Sequence, residues 1–354
     1  MLHRLISSWT AMVNRPTISD LARQAGVSVA TVDRVLNGRA RVREETTRRV
    51  YEAATAIGYH GASLVRQRIM ADVKPVTLGF VLLKRNELFY NRFARELETA
   101  IEAIESVRGT IRIAFVDEQK PEAFADALEG LGTRCDAVAA TAIDCPQVTR
   151  TAARLREKGV PVYALLSDFA QGIRESYVGL NNIKAGRTAA WMISRTAAQP
   201  GPVAFFLASH RWHGHQLRET GFRAYFRERA PQFEILDTVF DLDTVDVTRE
   251  ATLSLMARKP DLAGIYVAGG GTEGAIAALR ETTLNPLPSV VVNELTEASV
   301  AALEDGVLTT VIGTPLRALS TALVERMVAS LDVGHSAIPG QYFLPFDLHV
   351  PESI

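Results

Sequence analysis

Three stretches of this 354-residue chain carry residue types whose spacing could do chemistry. Between Thr17 and Asn37, hydroxyl, amide and guanidinium side chains crowd together, and residues 1–72 hold eleven Arg and no Lys against six Asp plus Glu, a formal +5. The whole chain carries −1, so residues 73–354 carry −6. The positive end is where a polyanion would dock. Gly269, Gly271 and Gly274 form a GxGxxG run after an apolar strand, with Glu294 twenty residues beyond, which is formally a dinucleotide fingerprint. The same glycines suit a tight strand-to-helix turn, or backbone amides offered to a carboxylated or phosphorylated ligand. The third stretch is His210-Arg211-Trp212-His213-Gly214-His215. Three histidines this close invite a metal, but no carboxylate or thiol stands among them to complete a site, and the expectation is Trp212 stacking on a ligand ring.

The elements that must position the N-terminal groups are three short helices. Thr17 caps a helix whose apolar side is Ile18, Leu21, Ala22 and Ala25 and whose stop is Gly26. Ser28 offers a second N-cap before Val29, Val32, Val35 and Leu36, closed by Asn37-Gly38. A third helix fits Arg43 to Ile57, with Val50, Ala53, Ala54 and Ile57 on one side and Gly58 as its stop. In a tri-helical unit of this kind the second helix enters the major groove, with side chains on base edges while hydroxyls and backbone amides grip phosphates. The exposed positions there are Ser28, Val29, Ala30, Thr31, Asp33 and Arg34.

The run AGVSVATVDRVLNG resembles the headpiece signature of the lac/gal repressor family, and VREETTRRVYEAATAIGY resembles the helix that follows it. The resemblance implies base contacts from Val29, Ala30 and Arg34, and phosphate contacts from Thr17, Ser28, Thr31 and Asn37. Arg34 suits a bidentate pair with guanine. Asp33 stands where the family usually has Ser, so either Arg34 or a cytosine amino group must take up its carboxylate. In the linker, residues 61–75, the resemblance implies a segment that folds on DNA and wedges leucine into the minor groove. This chain puts Arg68 at the wedge position and leaves Leu64 or Ile69 as substitutes.

From Val76 to Asp305 apolar strands alternate with helical stretches, the pattern of parallel doubly wound sheets with ligand crevices at the strand C-termini. Two such lobes in tandem resemble the type I periplasmic sugar-binding fold. The fold class expected is therefore an all-α helix-turn-helix headpiece (1–60) and a two-lobed α/β doubly wound domain (76–354). The expected lobes are 76–179 with 314–341, and 180–313 with 342–354. The resemblance assigns effector contacts to Phe89 and Tyr90 after the first strand, to Asp144, to Arg218 in RETGF, to Glu294 after VVVN and to Thr314 in VIGTP. The resemblance also makes Val178 to Asn182, with Ala185-Gly186, the first crossover between lobes. The chemistry is that of polyol recognition: carboxylates accept hydroxyl protons, arginine donates in a fork, and aromatic rings cover apolar faces. A hexose-type Asn-Asp contact is replaced by Gly269-Gly270-Gly271-Thr272-Glu273-Gly274.

Other classes are excluded by composition or kept as alternatives. No apolar run approaches a membrane span, Cys135 and Cys145 form neither a disulfide framework nor a CxxC pair, and the broken N-terminus MLHRLISSWTAMVNR lacks the stretch of a secretory signal. The expectation is a cytoplasmic homodimeric transcriptional regulator, a repressor without cofactor, metal or catalysis. Its expected partners are a pseudo-palindromic operator DNA and a sugar, polyol or sugar-acid effector. The alternatives are a nucleotide-binding enzyme built on the GxGxxG run and a sugar transport-binding protein. The first lacks any Ser/Lys/Tyr or Cys/His arrangement for hydride transfer, and neither explains the basic headpiece.

Overall fold

A computed structural model describes residues 15–37, 42–63, 74–333 and 340–354. The expectations for Leu64, Arg68 and Ile69 in the linker, and for Gly38, lie outside those residues. The chain divides into two compact units, the first running to Pro75 and the second beginning at Val76.

In the first unit, α1 (Ile18–Ala25) opens on a capping box: Thr17 accepts from the Asp20 amide at 3.3 Å, and its own amide donates to the Asp20 carboxylate at 2.9 Å. The helix stops at Gly26, whose φ of 63° is the left-handed conformation glycine adopts without strain. After α2 (Val29–Asn37) and α3 (Glu44–Ala56), the three helices close on a core of Leu21, Ala22, Ala25, Val32, Val35, Val50, Ala54 and Tyr59. Arg49 of α3 donates to the carbonyls of Ala25 at 2.7 Å and Gly26 at 3.3 Å, fixing the end of α1 against it.

The second unit contains two sheets. The first takes β1 (Pro75–Leu83), β2 (Arg108–Val116), β3 (Ala137–Ala140), β4 (Val162–Leu165), β5 (Ser176–Leu180) and β12 (Gly340–Leu344) in the order β12-β5-β4-β3-β1-β2. The second takes β6 (Pro202–Leu207), β7 (Glu234–Ile235), β8 (Val239–Phe240), β9 (Gly264–Val267), β10 (Ser289–Asn293), β11 (Thr310–Gly313) and β13 (Asp347–His349). Pairing is parallel from β5 through β4 and β3 to β1, and from β6 through β9 and β10 to β11, while β13 runs antiparallel to β11. Strands such as AVAA, VYAL and GIYV are buried throughout, as a sheet covered by helices on both faces requires. Those covers in the first lobe include α4 (Leu88–Glu102), α5 (Pro121–Gly132) and α6 (Pro146–Glu157). In the second lobe they include α7 (Asn182–Thr196), α8 (His213–Arg229), α9 (Val245–Arg258), α10 (Thr272–Glu281) and α11 (Glu297–Glu304).

The chain changes sheets after Leu180, after Gly313 and after Leu344, and α12 (Leu316–Val333) returns to pack on α4 of the first lobe. The sequence boundary at 341 falls inside β12, which stays in register with β5 from Gly340↔Ser176 to Leu344↔Leu180, so the third change comes three residues later. The alternation read from sequence also stopped short of α12, β12 and β13. The two strands are short and largely exposed. In the first lobe, α4 starts at Leu88, which makes Phe89 and Tyr90 part of its opening turn.

Candidate effector site and nucleic-acid interface

A cavity of about 400 Å³ lies between the lobes, and its wall is made by residues leaving the C-terminal ends of strands: Leu83 and Lys84 after β1, Thr141 after β3, Leu166 after β4, Gly269 after β9, and Asn293 with Glu294 at β10. That is where doubly wound sheets gather ligand-binding groups. Of the expected effector contacts, Phe89, Tyr90, Trp212, Arg218 and Glu294 border this cavity.

Arg218 is 9% exposed, and its guanidinium donates to Asn182 Oδ1 at 2.8 Å and to the Ala268 carbonyl at 2.5 Å. Asn182 in turn donates to the Tyr177 hydroxyl at 3.2 Å, so the fork is held by a buried polar chain running from α8 back to β5. Glu294 sits at φ 71°, uncommon for a residue with a side chain, which turns it out of β10. Its carboxylate accepts from the Thr314 hydroxyl at 2.7 Å and the Thr314 amide at 3.1 Å. Burial pushes this carboxyl above its ordinary value, and Arg218 and the Thr314 donors oppose the rise. Thr314 thus stands behind Glu294, bordering a neighbouring cleft and not the cavity.

Two expectations shift. Asp144 is exposed, away from the cavity wall, and its carboxylate accepts from the Ala170 amide at 3.3 Å. The reason is register: the chain leaves β3 at Ala140, so Thr141, three residues earlier, is the group at the strand end. Trp212 borders the cavity but is 3% exposed, built into the core of the first lobe with its ring edge-on to Phe124 at 6.0 Å and its Nε1 donating to Gln119 at 3.0 Å. Its indole is chiefly a tie between lobes. The three neighbouring histidines diverge: His210 meets Glu219 at 2.9 Å, His213 meets Gln171 at 3.1 Å, and His215 borders the cavity. Among the described residues no group of three or more His, Cys, Asp or Glu side chains could hold a metal ion.

The GxGxxG run has a packing explanation. A Cβ on Gly271 would strike Thr248 and one on Gly274 would strike the Val245 carbonyl, so these two glycines allow α10 to lie directly on α9. The amide of Gly270 donates to Asp243 Oδ1 at 2.7 Å. Sequence reasoning missed Asp243, Thr141 and Lys84. The last two follow strand ends and were findable there, whereas Asp243 reaches the wall through two successive left-handed residues, Leu242 (φ 55°) and Asp243 (φ 52°), which no sequence pattern announces.

Two buried groups, His215 on the cavity wall and Asp241 behind Asp243, are shifted in opposite directions. Burial pushes Asp241, wholly inside, up to about 7; the Asp243 amide that donates to it and Lys84 oppose the rise, and the Asp243 charge adds to it. Burial pushes His215 down to about 4, with Asp243 opposing and Arg218 adding. Between about pH 4 and 7 the folded chain keeps the Asp241 proton that an unfolded chain releases, so this group's contribution to stability falls as pH rises. From about pH 4 to 6.5 the unfolded chain binds a proton at His215 that the folded chain refuses, so that contribution rises with pH. The two offset each other. Asp241→Asn should therefore unmask a rise in stability across this window and His215→Gln a fall, each on the order of 3 kcal/mol in urea unfolding. Variant profiles parallel to that of the unsubstituted protein would contradict both assignments.

In the headpiece, α2 presents Ser28, Val29, Ala30, Arg34 and Asn37 as exposed residues, and Val29 is 45% exposed although apolar. Val32 and Val35 face inward. Ser28 Oγ accepts from the Thr31 amide at 3.1 Å and shares a 2.8 Å hydrogen bond with the Thr31 hydroxyl, which caps the start of α2. Asn37 donates to Asp33 Oδ1 at 2.5 Å, one turn away. The carboxylate that departs from the family pattern is thus taken up within the helix by Asn37.

A tri-helical unit with an exposed recognition face, followed by a two-lobed α/β domain with a ligand cavity at its strand ends, defines a ligand-responsive DNA-binding regulator. Residues 17–61 match the model for bacterial regulatory proteins of the lacI family, and residues 78–335 match that of the periplasmic binding protein domain. The chain thus joins a lacI-type regulatory domain to a periplasmic-binding-protein domain, and it is a sequence-specific DNA-binding transcriptional regulator. It is 25% identical over 348 residues to the sucrose operon repressor of Streptococcus mutans, an alignment covering 95% of this chain and 99% of that one. It is 24% identical over 299 residues to the HTH-type transcriptional regulator GalS of Salmonella typhimurium, covering 83% and 84%. Among solved structures, an ABC transporter solute binding protein from Burkholderia graminis in complex with D-arabinose shares the fold at a TM-score of 0.72 and 18% identity, covering 79% of this chain and 97% of that one. Among the described residues no helix is long and apolar enough to cross a membrane.

Proposed function

We propose that the chain is a cytoplasmic, non-catalytic repressor that works as a homodimer. Two headpieces read a pseudo-palindromic operator whose half-sites follow the two-fold symmetry. Val29, Ala30 and Arg34 meet base edges, and Thr17, Ser28, Thr31 and Asn37 meet phosphates. A small hydroxyl-rich effector of the sugar, polyol or sugar-acid class enters the cavity against Phe89, Tyr90, Arg218 and Glu294, and its binding releases the operator. The observation that carries this reading is the cavity itself: a buried arginine fork and a positioned carboxylate, with aromatic rings beside them, form a polyol-binding set. The relative that is a sucrose operon repressor and the arabinose-bound structural neighbour support the effector class.

Selection of bound duplexes from a random pool, repeated with sugars, polyols and sugar acids added, tests it. A recovered palindrome that one compound releases supports the proposal. Recovery of no motif under any condition refutes it.

A further inference from the structure

The glycine loop 269–271 in front of α10 has the form of an anion-binding turn, with backbone amides at a helix N-terminus. In this molecule that position is already filled. Asp243 Oδ1 accepts from the Gly270 amide at 2.7 Å, and a Cβ on Gly269 would come within 2.6 Å of the same oxygen. A Cβ on Gly270 would meet the Asp243 side chain at 3.0 Å, so the loop is glycine where Asp243 lies on it. The carboxylate is brought there at a conformational cost, through successive left-handed backbones at Leu242 and Asp243. It is then fixed from three sides: the Asp243 carbonyl accepts from Lys84 at 3.0 Å, its amide donates to Asp241 at 3.0 Å, and its second oxygen accepts from Gln119 at 3.4 Å.

The rest of the wall agrees in sign. Its charged groups are Lys84 and Arg218 against Glu87, Asp243, Glu273 and Glu294. Lys84 is paired with Glu87 at 2.7 Å, and Arg218, held by the neutral acceptors Asn182 and Ala268, is then the one remaining cation among the described residues of this wall against Asp243, Glu273 and Glu294. The Thr141 hydroxyl, 3% exposed and bordering the cavity, has no hydrogen-bond partner among the described residues, which suits a hydroxyl on the ligand.

Resting on the hydroxyl-rich effector of the preceding section, we propose that Asp243 is a built-in anion that closes the glycine loop to acidic ligands, so that the effector carries neither carboxylate nor phosphate. Hydroxyl groups can donate to Asp243 and Glu294, whereas an incoming carboxylate meets like charge at short range in a shielded cavity.

Calorimetric titration of the full chain with neutral aldoses and alditols, the corresponding aldonic and uronic acids, and the sugar phosphates tests this. The expected result is a neutral compound as the tightest ligand. In Asp243→Asn the preference for that compound over its acid counterpart should narrow by about tenfold or more. An acid or phosphate binding tightest to the unsubstituted chain would overturn the inference while leaving the hydroxyl-rich effector standing. An unchanged preference in a folded Asp243→Asn protein would overturn the role of Asp243. If no compound binds, the effector reading fails and this inference with it. Should the variant not fold, the unsubstituted panel decides alone.

Discussion

Arg218→Ala should abolish the response to effector and destabilise the sensor by about 3 kcal/mol, while operator affinity at 25 °C stays within a factor of about two. The destabilisation follows from geometry. Truncation removes the donors to Asn182 Oδ1 and to the Ala268 carbonyl, both inside the protein, and a buried acceptor left without its partner costs ~1–3 kcal/mol. The loss of response follows from chemistry, because the guanidinium is the cationic donor fork that borders the cavity and opposes the rise that burial imposes on the Glu294 carboxyl. Urea unfolding and duplex binding with and without the effector read the two consequences separately. A variant that unfolds like the original but no longer responds would place Arg218 on the ligand alone. One that responds normally would remove it from the site.

Arg34→Ala should weaken discrimination at one base pair of each half-site by about 1–3 kcal/mol and leave the other positions unchanged. Arg34 is exposed in the last turn of α2, on the face opposite the buried Val32 and Val35, and a guanidinium can pair with guanine through two parallel hydrogen bonds. Binding to a set of operators changed one pair at a time distinguishes this from a phosphate contact. A phosphate contact would weaken every duplex alike and reduce the salt dependence. Uniform weakening would move Arg34 from the bases to the backbone.

How far the sequence carries depends on where a residue's position is decided. The headpiece is written in local chemistry: the Thr17–Asp20 capping box, the left-handed Gly26 and the inward valines of α2 each act within one helical turn, and each was readable. The alternation of strand and helix likewise announced the two lobes, because fully buried strands such as VVVN leave continuous apolar runs. The cavity was legible only in part. Arg218 and Glu294 border the cavity as the family resemblance implies, but the resemblance points to Asp144 where Thr141 borders the cavity, because a three-residue offset after β3 leaves no mark in the sequence. Trp212 was read as a ligand platform, and the long-range packing that places it against Phe124 of the other lobe has no local signature. Asp243 was invisible for the same reason in stronger form, since two consecutive left-handed residues set its direction.

The central claim is that one chain couples a ligand in the inter-lobe cavity to DNA held by the headpiece. Coupling between two sites on one molecule is reciprocal and typically amounts to about 1–3 kcal/mol. The most direct test measures operator affinity by fluorescence anisotropy with and without saturating effector, and effector affinity with and without saturating operator, on the same full-length protein. The account predicts that effector weakens operator binding about 5- to 150-fold, that operator weakens effector binding by the same factor, and that both effects vanish in Arg218→Ala. Operator and effector affinities that are each measurable but independent of one another would contradict it.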